Sequence, residues 1–496
     1  MSKIKSLVLG SAAAIVAIGG AQAADLPVKA KAVEYVKVCS LYGAGFYYIP
    51  GTDTCIRIGG YVRAEVTFGG ASADATYISG AGSLGDRSVG DYYSRARIMM
   101  NIDTRTATEY GVVRTFAAFG PQFNSGNVDG PDTQGNGSMR VEAAFIQFAG
   151  FTFGRSASAY ALPWNGAPGN LNSTLMGGPN FDAGVNNIQY TWQFGNGISA
   201  SIGVDTQEQA NRIGVANTYT GTTVDPLGVY ATNAYQASSA PDVVGNIRLD
   251  QAWGLLQFSA AAHQVTGYYY GNGATGTAAT YTMASGHAGD KWGFAVTGAL
   301  QLKNLPTGPG DDIKISATYT EGALRYVLGQ SGATPRNFSV FDGGAGTFAG
   351  VPVADGVFGA PGSGIELTKA YGINGAFNHN WNRNWSSSIF GSWSHVDYNG
   401  TATSMLCTGT SYGSRTIAGV CNPDFNISQL GLSTTWKPVK DLAFIAEATW
   451  VHIDQNNTGA TSANQSGFGA RRLATGNYAF GDQDAYSGIL RVQRNF

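Results

Sequence analysis

The chain has 496 residues, of which 30 are basic and 32 acidic, and its formal net charge is −2. This balance lacks the lysine and arginine excess of a nucleic-acid-binding surface, so we expect no nucleic-acid partner. Only 12% of the residues are charged, against about 25% in ordinary soluble domains. A soluble protein with so few charges would have an unusually bare surface, and the composition favours a protein that is partly solvated by lipid.

The start of the chain has the pattern of a targeting segment. Lys3 and Lys5 precede an apolar run at 7–18, and the small residues AQA follow at 21–23. This order predicts a cleaved secretory signal peptide, residues 1–23. No later apolar block reaches the roughly 20 residues of a membrane-spanning helix, whereas barrel strands of about 10 alternating residues leave no hydropathy peak.

Cysteines mark the next segment, residues 24–56, and one later loop. They occur as two close pairs, Cys39 with Cys55 and Cys407 with Cys421. Because an exported chain reaches an oxidising compartment, we predict a disulfide within each pair. The five histidines are scattered singly along the chain, so we expect no metal site and no cofactor.

The stretch YYSRARIMMNID, residues 92–103, shows the period of two of a β-strand. Arg95 and Arg97 fall on one face, and Ala96 and Ile98 fall on the other. A soluble sandwich produces this alternation with its apolar face in a core. An outer-membrane barrel produces it with that face in lipid and the polar face in a water-filled lumen. This stretch alone leaves both folds open.

The same period predicts sixteen strands, which form a barrel over residues 57–496. They are 57–68, 93–102, 108–119, 138–149, 150–155, 187–194, 197–205, 242–250, 254–264, 291–302, 311–320, 369–378, 384–394, 427–436, 442–453 and 484–496. Seven short turns, among them DTRTAT and FGNG, alternate with eight long loops. A barrel with both termini on the periplasmic side needs this asymmetry. A sandwich does not need this asymmetry, and the chain lacks the sequence repeat of a propeller or β-helix.

Aromatic residues mark the expected edges of the barrel. Trp253, Trp381, Trp385 and Trp436 lie beside short turns, where amphipathic rings suit a membrane–water interface. The last strand, AYSGILRVQRNF, ends on an aromatic residue and resembles the C-terminal signature of bacterial outer-membrane barrels. Arg494 departs from the commoner aromatic at its position, and a long cation near the interface can snorkel to the headgroups.

Four stretches of the chain resemble the general-diffusion porins of alphaproteobacteria. They are ADLPVKAKAVEYVKVCSLYGAGFYYIPGTDTCIRIGGYVR at 24–63, YYSRARIMMNIDTRTATEYGVVRTFAAFG at 92–120, FIQFAGFTFGR at 145–155 and LRVQRNF at the end. The resemblance spans essentially the whole mature chain. It implies an all-β fold, a sixteen-stranded antiparallel transmembrane β-barrel, whose third outer loop, 156–186, folds inward to constrict the pore. It also implies a homotrimer in contact with outer-membrane lipid and lipopolysaccharide.

Charged residues of the lumen are the candidate site. In the family, arginines on the barrel wall face acidic residues of the inward loop and create a transverse field across the constriction. The corresponding residues here are Arg63, Arg95, Arg97, Arg114, Arg155 and Asp182. We expect the arginines to form one basic patch. We also expect the removal of Arg95 and Arg97 to favour cations with little change in stability, since solvated side chains make no core contacts.

These observations favour a passive outer-membrane channel for small hydrophilic solutes and ions. A substrate-specific channel, with an ordered aromatic track or binding pocket, stays open as an alternative. An outer-membrane barrel enzyme is disfavoured because sixteen strands leave an aqueous bore. Two enzyme-like patterns, GAGSLG at 80–85 and GTSYG at 409–413, lack the strand–turn–helix context that gives such motifs their chemistry.

Overall fold

The structure is a computed structural model. It describes residues 37–72, 75–76, 92–125, 136–171, 175–181, 184–207, 212–219, 234–235, 239–271, 281–329, 337–342, 346–408, 416–417, 419–463 and 476–496. The predicted signal peptide, Asp182 and both enzyme-like patterns lie outside the described residues.

Sixteen long strands of the described residues form one antiparallel sheet. They are β1 Cys55–Phe68, β2 Tyr92–Thr108, β3 Gly111–Asn124, β4 Asn136–Phe148, β5 Phe151–Ser156, β6 Val185–Gly195, β7 Ile198–Asp205, β8 Asp242–Gln251, β9 Gly254–Val265, β10 Lys291–Lys303, β11 Asp312–Glu321, β12 Lys369–Asn380, β13 Trp385–Asp397, β14 Phe425–Val439, β15 Leu442–Gln455 and β16 Gln483–Asn495. Each predicted strand matches one of them. β2 is longer than predicted, so DTRTAT belongs to the strand and the turn is at 109–110.

The sheet closes on itself. Each strand pairs with the next in the sequence, and β16 pairs with β1 through partners such as Tyr61 and Asn495. Closure matters because an open edge would leave backbone N–H and C=O groups without partners in lipid. The predicted all-β, sixteen-stranded antiparallel barrel is confirmed.

Side chains alternate in burial across the sheet, as the period of two requires. In β1, Glu65 and Thr67 are 3% and 1% exposed, whereas Val62 and Phe68 are 51% and 46% exposed. The outer face is therefore apolar and the inner face polar, the arrangement of a barrel surrounded by lipid. At the C-terminus, Arg494 lies on the outer face and donates to the Lys440 carbonyl.

Connections between the sixteen described strands alternate in length, as predicted. Seven are short, and they lie at the same end of the barrel as the start of β1 and the end of β16, hereafter the short-turn end. The tightest are two-residue turns: Asn196 and Gly197, for example, have φ 49° and 75°, the left-handed pair that matches the twist of a hairpin. Eight connections are long and lie at the opposite, long-loop end.

The described part of the N-terminal segment, residues 37–54, packs at the short-turn end. It contains the 3₁₀ helix Ser40–Tyr42 and the short strand Tyr47–Tyr48, which pairs with the start of β1. A disulfide joins Cys39 to Cys55, and both sulfur-bearing side chains are buried with Phe46. The other predicted disulfide, Cys407–Cys421, is present in a long connection.

Long connections build their own structure at the long-loop end. They contain the helices α1 Arg325–Leu328 and α2 Gly400–Thr408, the 3₁₀ helix Met283–Ser285, and short strands at Gly70–Ser72, Ala75–Thr76, Val215–Asn217, Asn337–Asp342, Thr347–Pro352, Gly356–Phe358, Glu366–Leu367, Thr416–Ile417, Ala460–Ala463 and Gly476–Phe480. Leu324 and Val351 from these connections share an apolar core with inward residues of the barrel such as Phe425 and Val451. Among the described residues, no helix combines the length and apolar character that crossing a membrane requires.

Candidate functional site

The seam that closes the barrel is crossed by a buried charge cluster. Glu65 of β1 lies directly opposite Arg95 of β2 on one side and Arg491 of β16 on the other. Arg95 forms an ion pair with one carboxylate oxygen of Glu65, and Arg491 Nε donates to the other at 2.6 Å. All three side chains are almost fully buried. Two guanidiniums on one carboxylate leave the cluster with one net positive charge.

A second cluster continues along the inner face of β2 to β4. Arg97 donates to Gln122 at 2.8 Å and to Glu142 at 3.3 Å, and Arg140 Nε lies 3.0 Å from the same Glu142 oxygen. Glu142 is the extra residue of a β-bulge, because β3 pairs directly with its two neighbours. A bulge can re-aim a side chain, and this one points a carboxylate between two arginines.

Arg63 completes this side of the lumen. It lies opposite Arg97 on β1, donates to Gln493 at 2.9 Å, and places its guanidinium 4.6 Å from the centre of the Tyr61 ring. We call the set Arg63, Arg95, Arg97, Arg140 and Arg491 the arginine wall. The sequence prediction did not include Arg140 and Arg491. The period of two places Arg491 on the inner face, whereas Arg140 reaches it through the shift in alternation at the Glu142 bulge.

Arg114 does not belong to the arginine wall, contrary to the prediction. It lies opposite Arg105, eight residues along β2 from Arg97, which is about 26 Å at 3.3 Å per residue. There it forms two hydrogen bonds with Asp103, each 3.0 Å long. The sequence identified the face of Arg114 correctly but not its height in the barrel, which depends on the strand register.

Arg155 is also misplaced by the prediction. It lies on the same face as the exposed Phe151 and Phe153, opposite the buried Thr152, and donates to the Val141 carbonyl at 3.2 Å. The predicted single patch is therefore divided among the arginine wall, the short-turn end and the outer face of β5. The sixth predicted residue, Asp182, lies outside the described residues.

Arg95 and Arg97 are not the solvated side chains that the sequence suggested. They are 2% and 5% exposed, respectively, and both make the ion pairs described above. The solvated environment expected for both side chains was therefore wrong, and each removal would leave a carboxylate with fewer partners.

The third long connection, residues 157–184, contacts the inner face of the other half of the barrel. Neutral side chains of the wall hold its backbone carbonyls: Asn246 donates to Ala159, Gln257 to Ala161, Asn378 to Pro168, Ser433 to Gly169 and Asn374 to Met176. Lys314 donates to the Pro168 carbonyl at 3.1 Å. These wall residues belong to strands β8, β9, β11, β12 and β14.

Backbone N–H groups of the same connection also find acceptors on the wall. Leu171 N–H donates to Glu447 at 2.6 Å, and Met176 N–H donates to Gln429 at 2.7 Å. Tyr160 is fully buried and its hydroxyl lies 2.7 Å from Thr297 Oγ1 on β10. The polar inward residues named in this and the preceding paragraph, which lie on strands from β8 to β15, thus contact the connection rather than open space.

A third charged cluster lies at the long-loop end. His263 Nδ1 is 2.8 Å from Asp242, and its Nε2 is 3.8 Å from Asp355. Asp355 also accepts the backbone N–H groups of Ile213 and Leu324, at 2.8 and 2.7 Å, and thereby joins two long connections. Burial raises the pKa of Asp355 to about 6. His263 and both carboxylates are fully buried, so this trio is not arranged as a solvent-accessible catalytic site.

Comparison with known proteins agrees with this architecture. A family model described as the porin subfamily matches residues 25–489. The chain is 38% identical over 259 residues to porin Omp2b of Brucella canis and 40% identical over the same length to porin Omp2b of Brucella suis. That region is 51% of this chain and 64% of each Brucella protein.

Among solved structures, the chain is similar to the outer-membrane channel DcaP of Acinetobacter baumannii. The TM-score is 0.56 at 15% sequence identity, and the match covers 90% of this chain and 99% of that one. At this identity the likeness shows a shared fold. With the family match over residues 25–489, it leads to one conclusion: the chain belongs to the porin subfamily of bacterial outer-membrane β-barrels.

Proposed function

We propose that the chain forms a passive aqueous channel for small hydrophilic solutes and ions across the outer membrane. The observation that carries this proposal is the arginine wall inside a closed sixteen-stranded barrel. Charged side chains on a membrane-embedded segment are expensive unless they face a partner or water. Five arginines on one side of a lumen therefore favour a water-filled passage beside them.

The passage is narrowed by the third outer loop, 156–186, which folds inward. Support comes from the hydrogen bonds of this loop to inward side chains of β8 to β15. A loop held against that half of the wall leaves the passage between itself and the arginine wall. Arg491 links the arginine wall to the loop, because its Nη1 donates to the Leu171 carbonyl at 3.3 Å.

The passage attracts anions more than cations. The arginine wall has five cations, and among the described residues the carboxylates that contact it or its neighbouring loop include Glu65, Glu142 and Glu447. A surplus of oriented positive charge in a narrow neck raises the local concentration of anions. Arg63, Arg95 and Arg97 remain in the proposed constriction, together with Asp182 on the loop.

The channel works as a homotrimer in outer-membrane lipid and lipopolysaccharide. Support comes from an apolar groove of about 710 Å³ on the outer face of the barrel seam, lined in part by Ala64, Ala96, Phe444, Leu490 and Val492. Small residues flanked by large ones suit close contact with a second barrel. Unboiled gel samples and mild crosslinking in detergent test the trimer, and monomers alone in both assays would refute it.

Planar-bilayer recording of the purified protein tests the channel itself. We expect discrete conductance steps of uniform size that increase linearly with salt concentration. Conductance that saturates at low concentrations of one solute class would instead indicate the substrate-specific alternative. The absence of any steps from correctly folded, heat-modifiable protein would refute the proposed function.

A further inference from the structure

Three arginines surround one carboxylate at the short-turn end of the lumen. Arg114 binds Asp103 through two hydrogen bonds of 3.0 Å, and Arg105 binds it at 3.1 and 3.3 Å. Arg57 Nη2 lies 3.7 Å from the same carboxylate. One negative charge cannot balance three positive ones, so the cluster keeps two net positive charges. Asp103 is almost fully buried, whereas the three arginine side chains are 27–48% exposed.

Aromatic rings fix the positions of these arginines. The guanidinium of Arg105 lies 4.9 Å from the centre of the Phe46 ring and 5.6 Å from that of Tyr42, and Arg57 lies 5.0 Å from Phe46. Both rings belong to the N-terminal segment, which the Cys39–Cys55 disulfide ties to β1. The guanidiniums are therefore held by cation–π contacts and by Asp103 before any solute arrives.

A groove of about 520 Å³ opens beside this cluster. Its lining includes Arg105, Arg114 and Tyr42, and the inward polar residues Gln147, Thr152, Thr191 and Gln193. Gln147 accepts from Arg114 at 2.9 Å and donates to Thr152 at 3.1 Å, so its amide orients the guanidinium rather than neutralising it. The groove thus combines surplus positive charge, hydroxyl and amide groups, and the aromatic rings of Tyr42, Phe148 and Phe151.

We propose that this groove is a binding subsite for small oxyanions, carboxylates or phosphate, at the short-turn exit of the channel. A guanidinium fork matches the geometry of two oxyanion oxygens, and preorganisation lowers the cost of binding. The subsite lies about 26 Å along β2 from Arg97, so it is separate from the arginine wall. The proposal rests on the proposed channel, because solutes reach the groove through the lumen.

The test uses inorganic phosphate and the full-length protein in planar bilayers. Phosphate replaces an inert anion on both sides at constant ionic strength, and the half-blocking concentration for the chloride current is measured. Each single variant, R105Q and R114Q, leaves Asp103 paired with the other arginine. We expect the double variant R105Q/R114Q to raise the half-blocking concentration by at least about tenfold, the equivalent of one lost charge-assisted hydrogen bond, and each single variant to raise it less.

Arg248 provides the matched control. It lies on the inner face of β8, its Nε donates to Gln257 at 2.8 Å, and it does not line the groove. R248Q removes the same charge and should change phosphate block little. Equal effects of R248Q and R114Q, or no effect of R105Q/R114Q, would overturn the subsite while the channel still conducts. Loss of conductance in the parent protein would instead refute the proposed function.

Discussion

The two halves of the inner wall use their polar side chains differently. On the arginine wall, charged residues pair across neighbouring strands, as Arg95 and Arg491 do with Glu65. On β8 to β14, neutral amides and hydroxyls such as Asn378 and Ser433 donate to the backbone of residues 157–184. We call this second half the covered wall. Residues that look alike in a period-of-two pattern thus have different partners, and the partner determines the role.

Physical chemistry explains this division. Loop carbonyls that leave water need hydrogen-bond donors, and neutral amides supply them at a lower desolvation cost than charges. Paired charges on the opposite half keep a net positive field beside the proposed passage. Four predictions follow in order of expected effect, and three of them test this difference.

Removal of Arg95 should cause the largest loss of stability. Arg95→Ala leaves Glu65 almost fully buried with one of its two cationic partners. Breaking a buried ion pair costs about 3–5 kcal/mol, and the remaining Arg491 reduces this, so we expect about 3 kcal/mol in the free energy of unfolding. Urea titration in lipid vesicles, followed by tryptophan fluorescence, measures it.

A double variant provides the control for that measurement. Glu65→Gln combined with Arg95→Ala should cost less than the sum of the two single variants, because the double variant loses their shared ion pair only once. A cost below about 1 kcal/mol for Arg95→Ala would place the pair in the range of surface ion pairs and contradict its buried role.

The loop core at the long-loop end should become less stable as pH rises. Burial raises the pKa of Asp355 from 3.8 to about 6, so the folded state binds more protons than the unfolded state between these values. Stability from this group is complete below about pH 4 and is lost as pH rises through 6, by about 3 kcal/mol in all. The charged or titratable groups around it are His263, Asp242, Tyr235, Arg212 and Arg325.

Hydrogen exchange can measure this pH dependence. After correction for intrinsic rates, the amides of Ile213 and Leu324, which donate to Asp355, should be better protected at pH 5 than at pH 7. Asp355→Asn should abolish the difference. Equal protection at both pH values in the parent protein would show that Asp355 does not titrate in this range.

Ion selectivity should separate the two walls. Arg63→Gln with Arg97→Gln should change the cation-to-anion permeability ratio toward cations by at least about twofold, because both charges contribute to the positive field beside the proposed passage. Lys314→Gln is the matched control on the covered wall, where the ammonium contacts Asp312 at 3.3 Å and the Pro168 carbonyl. Reversal potentials under a salt gradient measure both. A larger change for Lys314→Gln would mean that the passage follows the covered wall.

Loss of one loop hydrogen bond should have the smallest effect. Tyr160→Phe removes the contact with Thr297, but Thr297 keeps its partner Thr318 at 2.8 Å. We therefore expect the free energy of unfolding to fall by about 1 kcal/mol or less. The same urea titration measures it, and a loss comparable to that of Arg95→Ala would show that the loop contributes as much as the seam.

The sequence predicted the barrel well because strand period and loop length are local properties. All sixteen strands and the inner position of Arg95 follow from them. The placement of Arg155 was wrong although a signal was available, since Phe151 and Phe153 share its face. The height of Arg114 depends on strand register, and the pairing of Glu65 with Arg491 joins residues 426 positions apart. Neither follows from a local pattern.

Cysteine accessibility tests the central claim most directly, that the passage lies between the third outer loop and the arginine wall. The four native cysteines form disulfides, so a new cysteine is the one reactive thiol. Arg63→Cys represents the arginine wall, and Asn374→Cys the covered wall, where Asn374 is 3% exposed and donates to Met176. A cationic methanethiosulfonate reagent should lower the current of Arg63→Cys in steps and leave Asn374→Cys unchanged. Modification of Asn374→Cys at an equal or higher rate would contradict the account.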